Sequence, residues 1–201
     1  MEPEETARRY NTIASSWDAA RTQSTHGVPY LKRAIQLCKI KGHALDVGCG
    51  TGHMMSTLID AGFEVTGLDI ATEMMALASA RHPTATFELA NIVEWVAPQK
   101  YDLIVAWDSI FHLPYHAHAP VIEKLCNALN RDGTLVFTAG GIDSAIVGTM
   151  FELEFGYSSL SDTALLDLVY RGECVPILME RDQYPLHHVV VIATKGFLTA
   201  I

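Results

Sequence analysis

The sequence predicts an open α/β fold, a doubly wound and mostly parallel sheet with helices on both faces. Three observations carry that expectation. Short apolar runs alternate with stretches of helical periodicity through the middle of the chain. The first run, Ala44-Leu45-Asp46-Val47, enters the glycine-rich turn Gly48-Cys49-Gly50-Thr51-Gly52-His53, and a helical pattern starts immediately. Strand, glycine turn, helix is how such a sheet builds a nucleotide-sized crevice at the carboxyl end of its first strand. The next run, Phe63 to Leu68, ends on Asp69, whose carboxylate can accept hydrogen bonds from both hydroxyls of a ribose.

Taken in order, residues 3–17 form a helix, with Tyr10, Ile13 and Ala14 at helical spacing and Pro3 near its start. The polar stretch Arg21 to Gly27 is a loop, and a second helix over 29–39 buries Leu31, Ala34, Ile35 and Cys38. Strand 44–48 is followed by a helix over 52–61 that turns Met55, Leu58 and Ile59 inward and stops at Gly62. Strand 63–68 leads to a helix from Thr72, its N-cap, to His82, where Pro83 ends it. Strands at 84–89 and 102–107 follow, then a helix over 118–130 that buries Val121, Ile122, Leu125 and Leu129. After the turn Arg131-Asp132-Gly133 comes a strand at 134–138. The rhythm then breaks at 139–160, an insert with two glycines and Met150, Phe151, Phe155 and Tyr157. A helix at 161–171 and strands at 174–181 and 187–195, linked by Asp182-Gln183-Tyr184-Pro185, end the chain in an antiparallel hairpin.

The chain has 201 residues, 49% of them hydrophobic and 18% charged, which suits one α/β domain with its own core. No apolar run reaches the roughly 18 residues of a membrane span, and the start Met1-Glu2-Pro3-Glu4-Glu5 is unlike a signal peptide. The four cysteines, Cys38, Cys49, Cys126 and Cys174, form no CxxC pair, so reduced thiols in a cytoplasmic protein are expected. The net charge is −9, and residues 1–42 carry seven Lys/Arg against four Asp/Glu. The acidic remainder disfavours a nucleic-acid partner, which would call for a basic face.

Leu45-Asp46-Val47-Gly48-Cys49-Gly50-Thr51-Gly52 resembles motif I of the class I S-adenosylmethionine (SAM)-dependent methyltransferases. Tyr101 to Asp108 resembles their strand-4 motif, and the Asp132-Gly133 turn and final hairpin are similar too. The resemblance spans nearly the whole chain. It implies a Rossmann-like sheet of seven strands, mostly parallel, with an antiparallel C-terminal hairpin strand. It also implies a single SAM-dependent methyltransferase domain over 1–201, with 1–42 as an N-terminal helical flap and 139–160 on the substrate side.

By that resemblance SAM is the cofactor and S-adenosylhomocysteine (SAH) the product. Asp46 would receive the methionyl amino group, and Gly48, Cys49, Gly50 and Gly52 would line the cradle. Asp69 would hold the ribose, and Ile70, Met74 and Ile92 would enclose the adenine. Asn91 stands where the family often has an Asp; it keeps an acceptor oxygen for the adenine amino group. Trp107 and Asp108 reach the carboxyl edge of the sheet. The blander roles are a turn cap for Asp46, a helix-start charge for Asp69, a loop cap for Asn91, and core filling for the Met pairs 54–55 and 74–75.

Methyl transfer asks the enzyme to align a nucleophile and, where that nucleophile carries a proton, to accept it. His112 and Asp108 are the candidate bases. His112, His116 and His118 lack an acidic or thiol partner at ligand spacing, so no metal site is expected. His187-His188 reads as the start of a strand. Tyr10, Trp17 and Arg21 from the flap, with Phe151, Phe155 and Tyr157 from the insert, are the candidate acceptor-binding residues for a small molecule. Three rivals remain: a nicotinamide-dependent oxidoreductase, a non-catalytic SAM-binding module and a nucleic-acid methyltransferase. His53 at the third glycine position opposes the first, and the absence of an Asn-Pro-Pro-Tyr motif opposes the last.

Overall fold

The protein was studied as a computed structural model, which describes residues 1–140, 143–183 and 188–196. The link residues Tyr184 and Pro185, His187 and the second insert glycine, Gly141, lie outside the described residues. Two helices, α1 (Pro3–Arg21) and α2 (Val28–Leu37), precede the alternating core. That core runs β1 (His43–Val47), α3 (His53–Asp60), β2 (Glu64–Asp69), α4 (Thr72–Arg81), β3 (Thr86–Leu89) and β4 (Tyr101–Ala106). Two single 3₁₀ turns lead into α5 (His118–Ala128) and β5 (Leu129–Ala139). The chain continues through β6 (Ser144–Met150), β7 (Leu153–Ser159), α6 (Asp162–Arg171), β8 (Cys174–Gln183) and β9 (His188–Lys195).

Seven strands form one sheet in the order β3-β2-β1-β4-β5-β9-β8. β1 to β5 pair in parallel, whereas β9 runs antiparallel to both β5 and β8. The strand order reverses between β1 and β4, so a crevice opens above their carboxyl ends, at the glycine turn. Side chains alternate across the central strands as the pleat requires. Leu45, Ile104 and Phe137 enter a core with α5 and α6, while Ala44, Val105 and Val136 enter another with α2 and α3.

Several boundaries shift for tertiary reasons. α1 continues to Arg21, where its Asp18 meets Arg81 of α4 at 2.7 Å. Thr72 is the first residue of α4 rather than its cap; Ala71 holds the cap position, and the Glu73 N–H donates to Asn11 Oδ1 of α1 at 2.9 Å. β5 starts early, at Leu129 opposite Tyr101, bulges with Asp132 at φ 63°, and resumes with Thr134 opposite Leu103.

The 139–160 insert is a two-stranded antiparallel hairpin, paired from Ser144 with Ser159 to Met150 with Leu153. Its turn residues, Phe151 and Glu152, both adopt positive φ, 49° and 63°. Turns of that kind normally announce themselves through Asn or Gly, and here no such signal exists. Among the described residues, no helix is long and apolar enough to cross a membrane.

Candidate active site

The glycine turn is built for close approach. Gly48 has φ 67°, and a Cβ there would lie 2.4 Å from Ser109 Cβ; Gly50 has φ 54° and faces open space. Both conformations favour a residue without a Cβ. Asp69 pins this turn to the end of β2: Oδ2 accepts from the Gly50 N–H and Oδ1 from the Ala71 N–H, both at 2.8 Å. A carboxylate has about four lone-pair sites, so two such bonds leave it able to accept more.

Asp46 lies one strand over, 2% exposed, and its Oδ2 has no hydrogen-bond partner. Burial, aided by the charge of Asp69, pushes its carboxyl up to about 7. Burial raises Asp69 too, against the N–H groups of Ala71, Gly50 and Ile70 that favour its charge. A buried and a half-buried carboxylate on adjacent strands, the first with a bare oxygen, suit a ligand carrying a cation and a diol.

A cavity of about 190 Å³ lies over this cradle. Asp46, Gly48, Cys49 and Gly50 line it, with Asp69, Ile70 and Met74 on the β2 side. Asn91, Ile92 and Trp107 complete the predicted set. Gly52 is the exception and is corrected: it is the left-handed residue that starts α3, its carbonyl takes a hydrogen bond from His82 Nε2 at 2.8 Å, and it does not border the cavity. Asn91 is partly committed elsewhere, its Oδ1 accepting from the Val93 N–H and its Nδ2 donating to Glu4. Sequence reasoning missed Pro3, Thr6 and Ala7, which α1 lays across the cavity, because helical periodicity does not say what a helix covers.

At the end of β4, Asp108 sits at φ 50°, rare for a non-glycine residue. Its N–H donates to Thr138 Oγ1 at 2.8 Å. His188 Nε2 approaches its Oδ1 at 3.1 Å, and Arg21 Nη1 lies 3.8 Å from its Oδ2. On the other side of the imidazole, His188 Nδ1 meets Asp182. Burial alone would raise Asp108, yet the close approach and charge of His188, with Arg21 and His26 behind, hold it below the usual carboxylate range. Burial would lower His188, but Asp108 and Asp182 win and raise it.

His112 is engaged through both nitrogens: Nδ1 with the Gly156 carbonyl at 2.9 Å and Nε2 with Tyr10 Oη at 2.8 Å. A carbonyl only accepts, so Nδ1 carries the proton and Nε2 accepts from the tyrosine. Burial depresses its pKa to about 4. Tyr10 thus joins α1 to His112, and both ring nitrogens have partners in this arrangement. Of the neighbouring histidines, His118 bonds Ser158 Oγ at 2.8 Å.

Beside the first cavity lies a second, of about 920 Å³, between the β6–β7 hairpin and the ends of β8 and β9. Tyr10, Trp17 and Arg21 line both, and Tyr157 lines the second. Phe155 and Phe151 line neither and are corrected. Phe155 is fully buried against Tyr10 and His112, with ring centroids 4.9 Å and 5.7 Å away. Phe151 sits at the hairpin turn, 41% exposed. His188, Asp182 and Gln183 also line the second cavity. No sequence signal pointed to them, since the antiparallel order of β8 and β9 alone carries them there.

Residues 44–133 match the family described as a methyltransferase domain. Among curated proteins, a malonyl-[acyl-carrier protein] O-methyltransferase of Acetivibrio thermocellus is 34% identical over 119 residues, 57% of this chain and 40% of that one. A trans-aconitate 2-methyltransferase of Sinorhizobium medicae is 34% identical over 97 residues, 47% of this chain and 37% of that one. The chain spans less than half the length of these curated relatives. A Burkholderia thailandensis 1,6-didemethyltoxoflavin-N1-methyltransferase, solved with 1,6-didemethyltoxoflavin and SAH bound, superposes with TM-score 0.76 at 17% identity, covering 98% of this chain and 92% of that one. A Clostridium acetobutylicum SAM-dependent methyltransferase gives TM-score 0.72 at 13% identity, covering 94% and 99%. The sequence match to the methyltransferase-domain family runs through the β1-to-β5 core, and the fold is shared nearly end to end with solved SAM-dependent methyltransferases.

Proposed function

We propose that the protein transfers the methyl group of SAM to a small-molecule acceptor by in-line displacement, with SAH as the other product. One observation carries this reading above the rest: Asp46, buried, and Asp69, half-buried, are carboxylates on adjacent strands beneath a glycine turn, and Asp46 Oδ2 has no partner. SAM offers an ammonium for the first and a ribose diol for the second. When bound, it supplies a methyl group already activated by its sulfonium.

The chain's own residues do the rest. Ile70, Met74 and Ile92 give the adenine an apolar slot, and α1 excludes water from above. Among the curated relatives are a trans-aconitate 2-methyltransferase and a ubiquinone biosynthesis O-methyltransferase, which supports a small acceptor. A dinucleotide is the weaker alternative. Arg21 is the one Lys or Arg among the described residues lining the first cavity, and Asp46 opposes a pyrophosphate beside the turn.

Calorimetric titration with SAM, SAH and NAD tests the cofactor; SAM and SAH bind and NAD does not. Tight NAD binding without SAM binding overturns the proposal. A metabolite-extract screen with methyl-labelled SAM then identifies the acceptor, and transfer to a recovered compound separates an enzyme from a SAM-binding module.

A further inference from the structure

Tyr10, Trp17, Arg21, His26, Asp108 and His112 line both cavities, so the two meet at these side chains. The shared wall is where an acceptor in the second cavity faces a ligand in the first. At about 920 Å³ the second cavity has room for a compound of drug-like size. Its walls include the rings of Tyr10, Trp17, Phe111 and Tyr157, with Phe111 and Tyr157 5.7 Å apart between centroids. Its polar end holds two carboxylates, Asp108 and Asp182. Arg21 is the one Lys or Arg among its described lining residues, and it already faces Asp108 and stacks 4.4 Å over Trp17. Among the described lining residues an anionic acceptor finds no further Lys or Arg, and His188 is already set between two carboxylates, whereas a flat ring with a polar hydrogen finds both aromatic surface and an acceptor.

We infer that the second cavity binds the methyl acceptor, and that this is an uncharged aromatic or heteroaromatic compound whose O–H or N–H donates to the Asp108 carboxylate, with His188 and Asp182 as positioning residues. The inference rests on the methyltransferase reading above. His112 is spent on Tyr10 and Gly156, and His26 Nε2 takes a hydrogen bond from the Gln183 amide at 2.9 Å, which leaves Asp108 as the proton acceptor at the junction. Its geometry is over-determined: φ is 50°, Thr138 holds its N–H, and His188 bridges Oδ1 to Asp182. Backbone held in a sparsely populated region by surrounding contacts is a mark of functional sites. Arg21 Nη1 at 3.8 Å is too far to hydrogen-bond Oδ2, which is the oxygen an acceptor's proton would meet.

During transfer the acceptor heteroatom's lone pair forms the bond to the methyl carbon, and the carbon–sulfur bond breaks with its electron pair kept on sulfur. The proton then passes from the heteroatom to Asp108. An oxygen that has just gained a methyl group is strongly acidic, and an aryl nitrogen in the same state is about as acidic as a carboxylic acid, so a carboxylate suffices as the acceptor. The charged and titratable groups around Asp108 are Arg21 and Tyr10 from α1, His26 from the following loop, His112, and His188 with Asp182 behind it.

The test uses 1-naphthol and 1-naphthoate, matched rings bearing O–H or a carboxylate, titrated into protein saturated with SAH. Naphthol is expected to bind at least about tenfold more tightly than naphthoate, and Asp108→Asn to remove most of that preference. Asparagine tolerates positive φ, so this variant is expected to fold. In His188→Ala, which strips Asp108 of its counter-charge, naphthol affinity falls between pH 7 and 5 while wild type stays flat. Equal or tighter naphthoate binding, no binding of naphthol, or an unchanged preference in Asp108→Asn overturns the inference. Identical pH profiles for His188→Ala and wild type overturn the positioning role. Failure of SAH itself to bind strikes instead at the methyltransferase reading.

Discussion

Tyr10 Oη lies 2.8 Å from His112 Nε2, joining residues 102 apart in the chain and tying α1 across the crevice. Because Nδ1 is held by Gly156, this one hydroxyl satisfies the other nitrogen of a buried imidazole. Tyr10→Phe leaves that nitrogen without a partner at a cost of about 1–3 kcal/mol. A lowered thermal midpoint and faster SAH dissociation in stopped flow are the expected results. If both match wild type, the bond does not hold α1 closed.

The carboxyl of Asp46 titrates near 7 in the fold, against about 3.9 in an unfolded chain. Between those values the folded protein holds a proton that the unfolded chain has released, so this group's contribution to stability declines as pH rises through the window. An ammonium-bearing ligand pairs with the ionised form. SAM affinity is therefore expected to weaken by about tenfold per unit as pH falls below 7. Calorimetry of Asp46→Asn at the same pH values checks the assignment, since that variant is expected to bind weakly and without the slope.

Asp69→Ala removes two acceptor oxygens that would face the ribose and also frees the Gly50 and Ala71 N–H groups. Charge-assisted hydrogen bonds contribute about 1.5–3 kcal/mol each, so SAM affinity is expected to drop by at least about tenfold. A dissociation constant within twofold of wild type moves the ribose to another site.

Gly48 and Gly50 separate packing from ligand contact. Gly48→Ala meets Ser109 Cβ at 2.4 Å as well as an unfavourable φ, so a loss of about 2–5 kcal/mol in stability is expected. Gly50→Ala carries only the φ cost, about 1–2 kcal/mol, because nothing lies within 4 Å of its Cβ. Its larger effect should be on SAM affinity, through a methyl group placed in the cradle. Denaturation and titration of both variants give the comparison; a Gly50→Ala protein that binds SAM as wild type does would show that the ligand stays clear of this residue.

The sequence by itself determined what depends on neighbours in the chain. Apolar periodicity marked β1 through β5 and their helices, and glycine chemistry marked the turn after β1. The twenty-odd residues from that turn to the next strand end marked Asp69, which pairs with Gly50 in space because parallel strands bring their carboxyl ends together. Only the tertiary structure decided what depends on distant partners. The Phe151-Glu152 turn adopts positive φ with no residue that favours it, and the strand pairing of β6 with β7 imposes that conformation. Gly52, last of the spaced glycines, leaves the cavity because its carbonyl is taken by His82, 30 residues away. His188 comes to face Asp108 because β9 runs antiparallel beside β5, and His112 gains a partner on Nε2 because α1 lays Tyr10 on it. Local signals specify the cradle; the acceptor side is made of long-range contacts, which no window of sequence contains.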